Sequence, residues 1–156
     1  MKKILYNIML LLTTVTLLSS CNKDGDLIFL NGFGGSELTA TTNDVVLSIA
    51  NSKKLVLSME WNNPTLLSSD SSKTAPDGVL KTYLQISANE DFSGKVNEST
   101  VTSPSKAYKG DDLNSIAKDL GLTADVAGPL YFRIKRVEGN NMAPAYSNVE
   151  KVNVTP

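Results

Sequence analysis

The segment Leu55-Val56-Leu57-Ser58-Met59-Glu60-Trp61, followed by Asn62-Asn63-Pro64, carries the clearest structural signal in this chain. Large apolar residues occupy every second position, and smaller or polar residues lie between them. Because alternate side chains of a strand point to opposite faces, the pattern predicts a strand with one buried face. The predicted inward residues are Leu55, Leu57, Met59 and Trp61. Proline cannot donate to the hydrogen-bond ladder of a sheet, so Pro64 lies beyond the end of this strand.

The same alternation recurs along most of the chain. We expect further strands over residues 45–50, 79–88, 129–135 and 145–154, and a weaker, edge-like one within 95–108. In 129–135, the predicted inward residues are Leu130, Phe132 and Ile134, and the predicted outward residues are Tyr131, Arg133 and Lys135. Turn-forming residues separate these segments, and residues 65–78 are predicted to be a long loop. Since helices do not alternate with the strands, the sequence predicts an all-β antiparallel sandwich.

One short helix is expected between the strands. Its apolar residues recur at the spacing of one helix face; they are Leu113, Ile116, Ala117 and Leu120. Asp111 or Asp112 is predicted to cap the N-terminus, and Gly121 stands where a glycine commonly ends a helix. A helix this short is not stable alone, so we expect its apolar face to pack on the sandwich.

The N-terminus has the pattern of a bacterial lipoprotein export signal. Lys2 and Lys3 precede an apolar stretch over residues 4–18, and two serines lie between Leu18 and Cys21. This arrangement predicts a signal peptide over residues 1–20 and a covalent lipid on Cys21. The alternative is a buried free cysteine behind an N-terminal helix.

The chain after the signal peptide is predicted to have two parts. Residues 21–36 are rich in glycine and polar residues, so we expect a flexible tether that begins at the lipidated cysteine. Leu27–Leu30 interrupts this composition, either as an early strand or as a contact near the membrane. Residues 37–156 are long enough for one domain with a single hydrophobic core.

The composition excludes several classes of function. The chain has no histidine, which removes the commonest general base and the commonest transition-metal ligand. Its net charge of −1 argues against nucleic acid as a partner, since phosphate binding needs a basic surface. The single cysteine leaves no disulfide. We therefore predict no metal site, and no cofactor apart from the lipid on Cys21.

Two segments resemble the fibronectin type III fold. Residues 55–64 are similar to its second strand, in which a tryptophan ends the strand just before a proline. Residues 130–140 and 146–149 resemble its closing hairpin. The predicted helix and the 65–78 loop depart from that fold. Arg136 also departs, because the fold prefers a small apolar residue there, and this leaves the register at the end of the strand open.

A second resemblance covers nearly the whole chain after the signal peptide. The segments that carry it are Cys21-Asn22-Lys23-Asp24-Gly25-Asp26, Ala75-Pro76-Asp77, residues 87–92, 112–116, 120–122, 129–135, 146–149 and 152–156. Together they resemble the N-terminal immunoglobulin-like domain of SusE-like outer-membrane lipoproteins, which belong to starch- and glycan-utilisation systems. The resemblance implies a lipid anchor in the outer membrane, with the domain facing outward. It also implies a complex with a TonB-dependent transporter and a SusD-like lipoprotein. Asp24 and Asp26 resemble the surface-export signal of such lipoproteins.

The resemblance does not itself supply a glycan-binding site. In that family the glycan-binding aromatic residues belong to β-sandwich modules that follow this domain. The next module would begin at about Pro156, so those residues have no counterparts among residues 1–156.

Candidate sugar contacts must therefore come from the residues of this domain. A sugar ring packs its apolar face on an exposed aromatic side chain, while Arg, amide or carboxylate groups bond its hydroxyls. The candidates are Tyr131, which alternates with two cationic residues on the predicted outer face, together with Arg133 and Tyr146. The alternative for Tyr131 is a cross-strand pair with cation–π support. Trp61 is predicted to lie in the core, and Tyr108 is a further candidate.

These observations lead to one functional prediction and one alternative. The prediction is a lipid-anchored, non-catalytic accessory that binds starch or another glycan at the cell surface. The alternative is a structural spacer or protein-docking module of the transporter complex that binds no sugar. We expect no catalytic residues, because glycoside hydrolysis needs two carboxylates across one cleft. The carboxylates at Asp70, Asp77, Asp111 and Asp112 are predicted to lie in a loop and a helix cap.

Overall fold

A computed structural model describes residues 3, 30–63, 66–70, 72, 80–139 and 142–156. Apart from Lys3, the predicted signal peptide lies outside these residues, as do Cys21 and the first part of the tether. In chain order the described strands are β1 (Leu30–Phe33), β2 (Leu38–Ala40), β3 (Asp44–Val46), β4 (Leu55–Trp61), β5 (Leu66–Ser68), β6 (Leu80–Ser87), β7 (Val96–Thr100), β8 (Ser105–Lys109), β9 (Gly128–Glu138), β10 (Ala145–Tyr146) and β11 (Glu150–Thr155). Helix α1 (Gly110–Asp119) connects β8 to β9, and a 3₁₀ turn spans Ile49–Asn51.

Two sheets face each other as a sandwich, which confirms the predicted all-β class with one short helix. The larger sheet has the order β3-β11-β9-β6-β7, with β10 also paired to β9, and the smaller has the order β2-β4-β8. Among the described strand pairs, β3 and β11 are parallel and the others are antiparallel. The sequence predicted antiparallel pairing throughout. The exception arises because the chain leaves β2 in the smaller sheet and continues as β3 beside the last strand of the larger one.

The core lies between the sheets and beneath α1, as the apolar periodicities predicted. Trp61 is only 6% exposed, which confirms its predicted place in the core. Tyr108 is also buried, with its ring centroid 6.4 Å from that of Phe132, and burial raises the pKa of its hydroxyl. Leu113 and Ala117 carry the buried face of α1. Gly121 follows this helix with a φ of +91°, the left-handed conformation that favours glycine.

Two apolar residues of predicted strands are exposed, and one of them, Leu55, was predicted to face inward. Leu55 is 66% exposed, because the register of β4 against β8 shifts between Leu55 and Leu57. Ile49 is 95% exposed, because β3 ends before it and the chain turns. Asn51 closes that turn: its side-chain oxygen accepts a hydrogen bond from the Ser48 N–H, 2.8 Å away.

Strand pairing also changes three predicted segments. Leu30–Phe33, placed in the tether by composition, pairs with Leu66–Ser68 of the predicted loop, so both become short strands of a separate two-stranded sheet. The predicted strand 145–154 is divided into β10 and β11. Between them the hydroxyl of Ser147 accepts the N–H of Ile134, so a side chain replaces the backbone partner there.

The start of α1 differs from the prediction that Asp111 or Asp112 caps it. Backbone carbonyl groups serve instead, because Gly110 donates its N–H to Lys54 at 3.1 Å and Asp111 donates its N–H to Ser52 at 2.9 Å. The Asp111 carboxylate forms an ion pair with Lys53, whose ammonium donates a hydrogen bond of 2.5 Å to it. In the described part of the chain, no helix has the length and apolar composition to span a bilayer.

Candidate functional site

The outer face of the larger sheet carries a group of aromatic and polar side chains. We call this group the Arg133 face; its members are Tyr83, Gln85, Phe92, Glu98, Arg133, Lys135 and Tyr146. Strand alternation places the members on β6 and β9 opposite Leu84, Phe132 and Ile134, which are buried in the core. The face is therefore separated from the core by the sheet itself.

Arg133 is the centre of this face. Its guanidinium carbon lies 3.9 Å from the ring centroid of Phe92 and 4.1 Å from that of Tyr146. Its Nε donates a hydrogen bond of 2.7 Å to the side-chain oxygen of Gln85. A cation over an aromatic ring is stabilised by the ring quadrupole, so two rings and one amide fix the guanidinium in place. Phe92 is buried, whereas Tyr146 is 46% exposed and presents much of its ring to solvent.

Phe92 reaches Arg133 from a tight turn after β6. Phe92 has a φ of +57°, a left-handed conformation that is uncommon for a bulky residue. The turn is closed by hydrogen bonds from Asn89 to the Ser93 carbonyl at 2.8 Å, and from the Ser93 N–H to Asp91 at 2.9 Å. Hydrogen bonds from Ser93 hold the pKa of the Asp91 carboxyl below its usual range. The turn thus holds a strained residue in position against the cation.

A line of polar groups continues from Arg133 across β6 to β7. Gln85, which is 7% exposed, donates its amide to Glu98 at 2.6 Å. Lys135 forms an ion pair with the same Glu98 oxygen at 3.1 Å, and its ammonium nitrogen lies 5.4 Å from the ring centroid of Tyr83. Because both ends of the Gln85 amide are bonded, its orientation is fixed by the network.

The structure brings together two of the three predicted sugar contacts. Arg133 and Tyr146 are in direct contact, on neighbouring strands β9 and β10. Tyr131 lies on the same side of β9 two residues along, half-buried, with Ser87 and Lys151 as its cross-strand neighbours. In the described residues, the cation–π contacts of Arg133 involve Phe92 and Tyr146.

The other sequence candidates fall elsewhere. Tyr108 is 4% exposed and lies in the core, so its ring is not available to a ligand. Within the part of the chain that the structure describes, no three His, Cys, Asp or Glu residues come close enough to hold a metal ion. Cys21, the predicted lipid site, lies outside that part.

Sequence reasoning missed Gln85, Glu98 and the role of Phe92. Gln85 and Arg133 are 48 residues apart, and they meet only because β6 lies beside β9. A local signal was present for Gln85, since it is polar at an outward position of a predicted strand. The strand order that makes it a partner of Arg133 is not encoded in that local pattern.

The family profile described as SusE outer membrane protein matches residues 23–135, well over half of the chain. The chain therefore belongs to the SusE outer membrane protein family, and the resemblance found in its sequence is confirmed. Membership places the protein at the outer membrane as a component of a Sus-type polysaccharide-utilisation system. Neither the curated proteins nor the solved structures contain a significant match.

Proposed function

We propose that this chain is a lipid-anchored, non-catalytic accessory of glycan capture at the cell surface, and that the Arg133 face contacts the glycan. In this proposal a lipid on Cys21 attaches the protein to the outer membrane. The ligand is starch or another polysaccharide, and the protein partners are a TonB-dependent transporter and a SusD-like lipoprotein.

The observation that carries the proposal is the exposed ring of Tyr146, stacked on the Arg133 guanidinium. An aromatic ring that is apolar on its face and polar at its tip suits a ligand with both C–H and hydroxyl groups. Arg133 fixes the ring from beneath, so little side-chain entropy remains to be lost when a sugar packs on it. Glu98 and Lys135 lie on the same outer face and offer hydrogen bonds to hydroxyls.

The conformation of Phe92 supports a binding role for this face. A non-glycine residue in the left-handed region costs of the order of 1–3 kcal/mol, and such residues are concentrated at functional sites. Here the conformation places the Phe92 ring 3.9 Å from the Arg133 guanidinium. The strain therefore serves to order the residue on which Tyr146 stacks.

The chemistry of the face supports binding rather than catalysis. Glycoside hydrolysis uses a pair of carboxylates, one as acid and one as base or nucleophile. On the Arg133 face as defined above, Glu98 supplies the carboxylate, and it is already bonded by Gln85 and Lys135. A carboxylate held by two donors orients its neighbours.

Isothermal titration of the full-length protein in detergent against starch, other α-glucans, fructans and host-type glycans tests the proposal. We expect one class to bind with a dissociation constant of about 1 mM or tighter. Tyr146→Ala should abolish that binding, and Ile49→Ala, which removes an exposed apolar side chain elsewhere, should leave it unchanged. If the folded protein binds none of these glycans, the proposed glycan contact is wrong, and the spacer or docking function remains.

The lipid anchor is tested separately. Cys21→Ser should release the protein from the outer-membrane fraction and remove the lipid mass from its N-terminus, because Cys21 is the single cysteine of the chain. Purification of the wild-type protein under mild detergent should also recover a TonB-dependent transporter. An unmodified Cys21 in membrane-bound protein would contradict the proposed anchor.

A further inference from the structure

A cleft opens at one end of the sandwich, on the opposite side of the larger sheet from the Arg133 face. Its volume is about 410 Å³, within the range of roughly 300–1,000 Å³ that small-molecule sites occupy. Its polar and aromatic lining includes Trp61, Lys81, Thr82, Thr100, Thr102, Ser103 and Arg136. The lining combines an indole, four side-chain hydroxyls and two cationic side chains.

Arg136 is the unusual member of this cleft. It lies on the inward side of β9 at the register position after Ile134, and it is 1% exposed. Its Nη2 donates hydrogen bonds to the Asn62 carbonyl at 3.1 Å and to the Asn63 side chain at 2.8 Å. Nε and Nη1 are buried and have no acceptor among the described residues. Since a guanidinium carries five N–H donors, three of them are unpaired in a buried position.

In the part of the chain that the structure describes, Arg136 also has no ion-pair partner. Among the described residues that line the cleft, none is a carboxylate. Glu138, the next inward residue of β9, is buried, but it is not a lining residue, and one of its oxygens has no hydrogen-bond partner among the described residues. Lys81 adds a second positive charge to the lining. Buried charges in proteins are normally paired, so the cleft has the electrostatic character of an anion site.

We propose that this cleft binds the carboxylate of an acidic sugar, a uronate, through Arg136. Carboxylate oxygens accept the strong, charge-assisted hydrogen bonds that a guanidinium donates. The hydroxyls of Thr82, Thr102 and Ser103 line the same cleft and match the hydroxyls of a sugar ring. The choice of a sugar as the carrier of the carboxylate rests on the proposed glycan function. The negative charge of the ligand is inferred from the buried guanidinium of Arg136 alone.

Trp61 makes a direct test available, because it is the only tryptophan of the chain and lines the cleft. Sodium glucuronate, glucose and sodium acetate are titrated into the full-length protein in detergent at constant ionic strength, and Trp61 fluorescence is recorded. We expect a saturable change with glucuronate and none with glucose. Arg136→Met should weaken glucuronate binding roughly tenfold or more, as loss of a charged hydrogen-bond donor predicts. Lys54→Gln, which removes one positive charge at an exposed position outside the cleft, should leave it unchanged.

Three results of these titrations would contradict the proposal. An equal response to glucose would show that the carboxylate is not needed for binding. An equal response to acetate would show that the sugar ring is not recognised. A flat Trp61 signal with glucuronate would mean that Arg136 is solvated by buried water only. If Arg136→Met does not fold, amide shifts in the wild-type protein replace it: changes centred on Thr82 and Val101 support the site, and changes elsewhere overturn it. A neutral glucan that binds at Tyr146 without affecting Trp61 would uphold the proposed function independently.

Discussion

The guanidinium of Arg133 stacks on the ring of Tyr146, with its central carbon 4.1 Å from the ring centroid. This contact joins β9 to the two-residue strand β10, which has few backbone hydrogen bonds of its own. The Phe92 ring also contacts the guanidinium, so the group on which the exposed Tyr146 ring stacks is itself held in place. The stack therefore contributes both to the packing of a short edge strand and to the order of the proposed glycan surface.

Arg133→Lys should weaken glycan binding several-fold while leaving the protein folded. An ammonium group keeps the charge, but it lacks the planar surface on which the Tyr146 ring stacks and the Nε that bonds Gln85. The measurement is the dissociation constant for the glycan that binds the wild type, with the melting temperature as a check on folding. Unchanged affinity in the lysine variant would show that stacking does not order the site.

Phe92→Ala should lower the free energy of unfolding by about 3–5 kcal/mol, since it removes a buried ring and a cation–π contact. Phe92→Leu is the matched control, because leucine keeps most of the buried apolar area. It should cost only about 1 kcal/mol, close to the cation–π contribution. Urea unfolding of the three proteins checks the difference. Equal losses in both variants would show that buried apolar area does not contribute, and would assign the whole effect to loss of the aromatic ring over Arg133.

Local periodicity in the sequence was sufficient to predict much of this fold. The alternation in β9 correctly placed Leu130, Phe132 and Ile134 inward, because a period of two depends only on neighbouring residues. The same alternation places Arg136 inward, where it lines the cleft. The fibronectin type III fold prefers a small apolar residue at this position, but the alternation of the strand still places the larger Arg136 on the inward side.

Features that depend on which strands pair could not be predicted from the local sequence pattern. Leu55 fits the alternation of β4, yet a register shift against β8 exposes it. Leu30–Phe33 has the composition of a tether, and it becomes a strand because β5 supplies its partners. Both outcomes depend on which strands are neighbours, a property of the whole chain. The Gln85–Arg133 hydrogen bond of the candidate site is of the same kind.

The ion pair between Lys53 and Asp111 should give a pH-dependent contribution to stability. A hydrogen bond from Lys53 and its positive charge hold the pKa of the Asp111 carboxyl below its usual range. A carboxyl whose folded pKa is depressed stabilises the protein above its unfolded pKa of about 3.9, and this contribution is lost as the pH falls through the folded value. The difference in unfolding free energy between wild type and Lys53→Met should therefore be present at pH 7 and should close below about pH 4.

Chemical denaturation at several pH values measures that difference. Lys54→Met is the control, because the neighbouring lysine forms none of the ion pairs found in the described residues. High salt should narrow the Lys53 difference at pH 7, since both side chains are partly exposed and their attraction is screened. A difference that stayed constant down to pH 2 would contradict the ion pair as its source.

Gly110→Ala should destabilise the protein by about 1–3 kcal/mol. A Cβ at this position would lie 2.6 Å from the Asn51 carbonyl oxygen, and the contact is with backbone, which cannot move aside as a flexible side chain would. The clash would also separate the N–H groups of the first turn of α1 from the carbonyls of Ser52 and Lys54. Gly35→Ala is the matched control, because an added Cβ there has no neighbour within 4 Å and should change stability little. Urea unfolding of both variants checks this; a Gly110→Ala protein as stable as Gly35→Ala would show that the 51–54 turn can move away from the helix without loss.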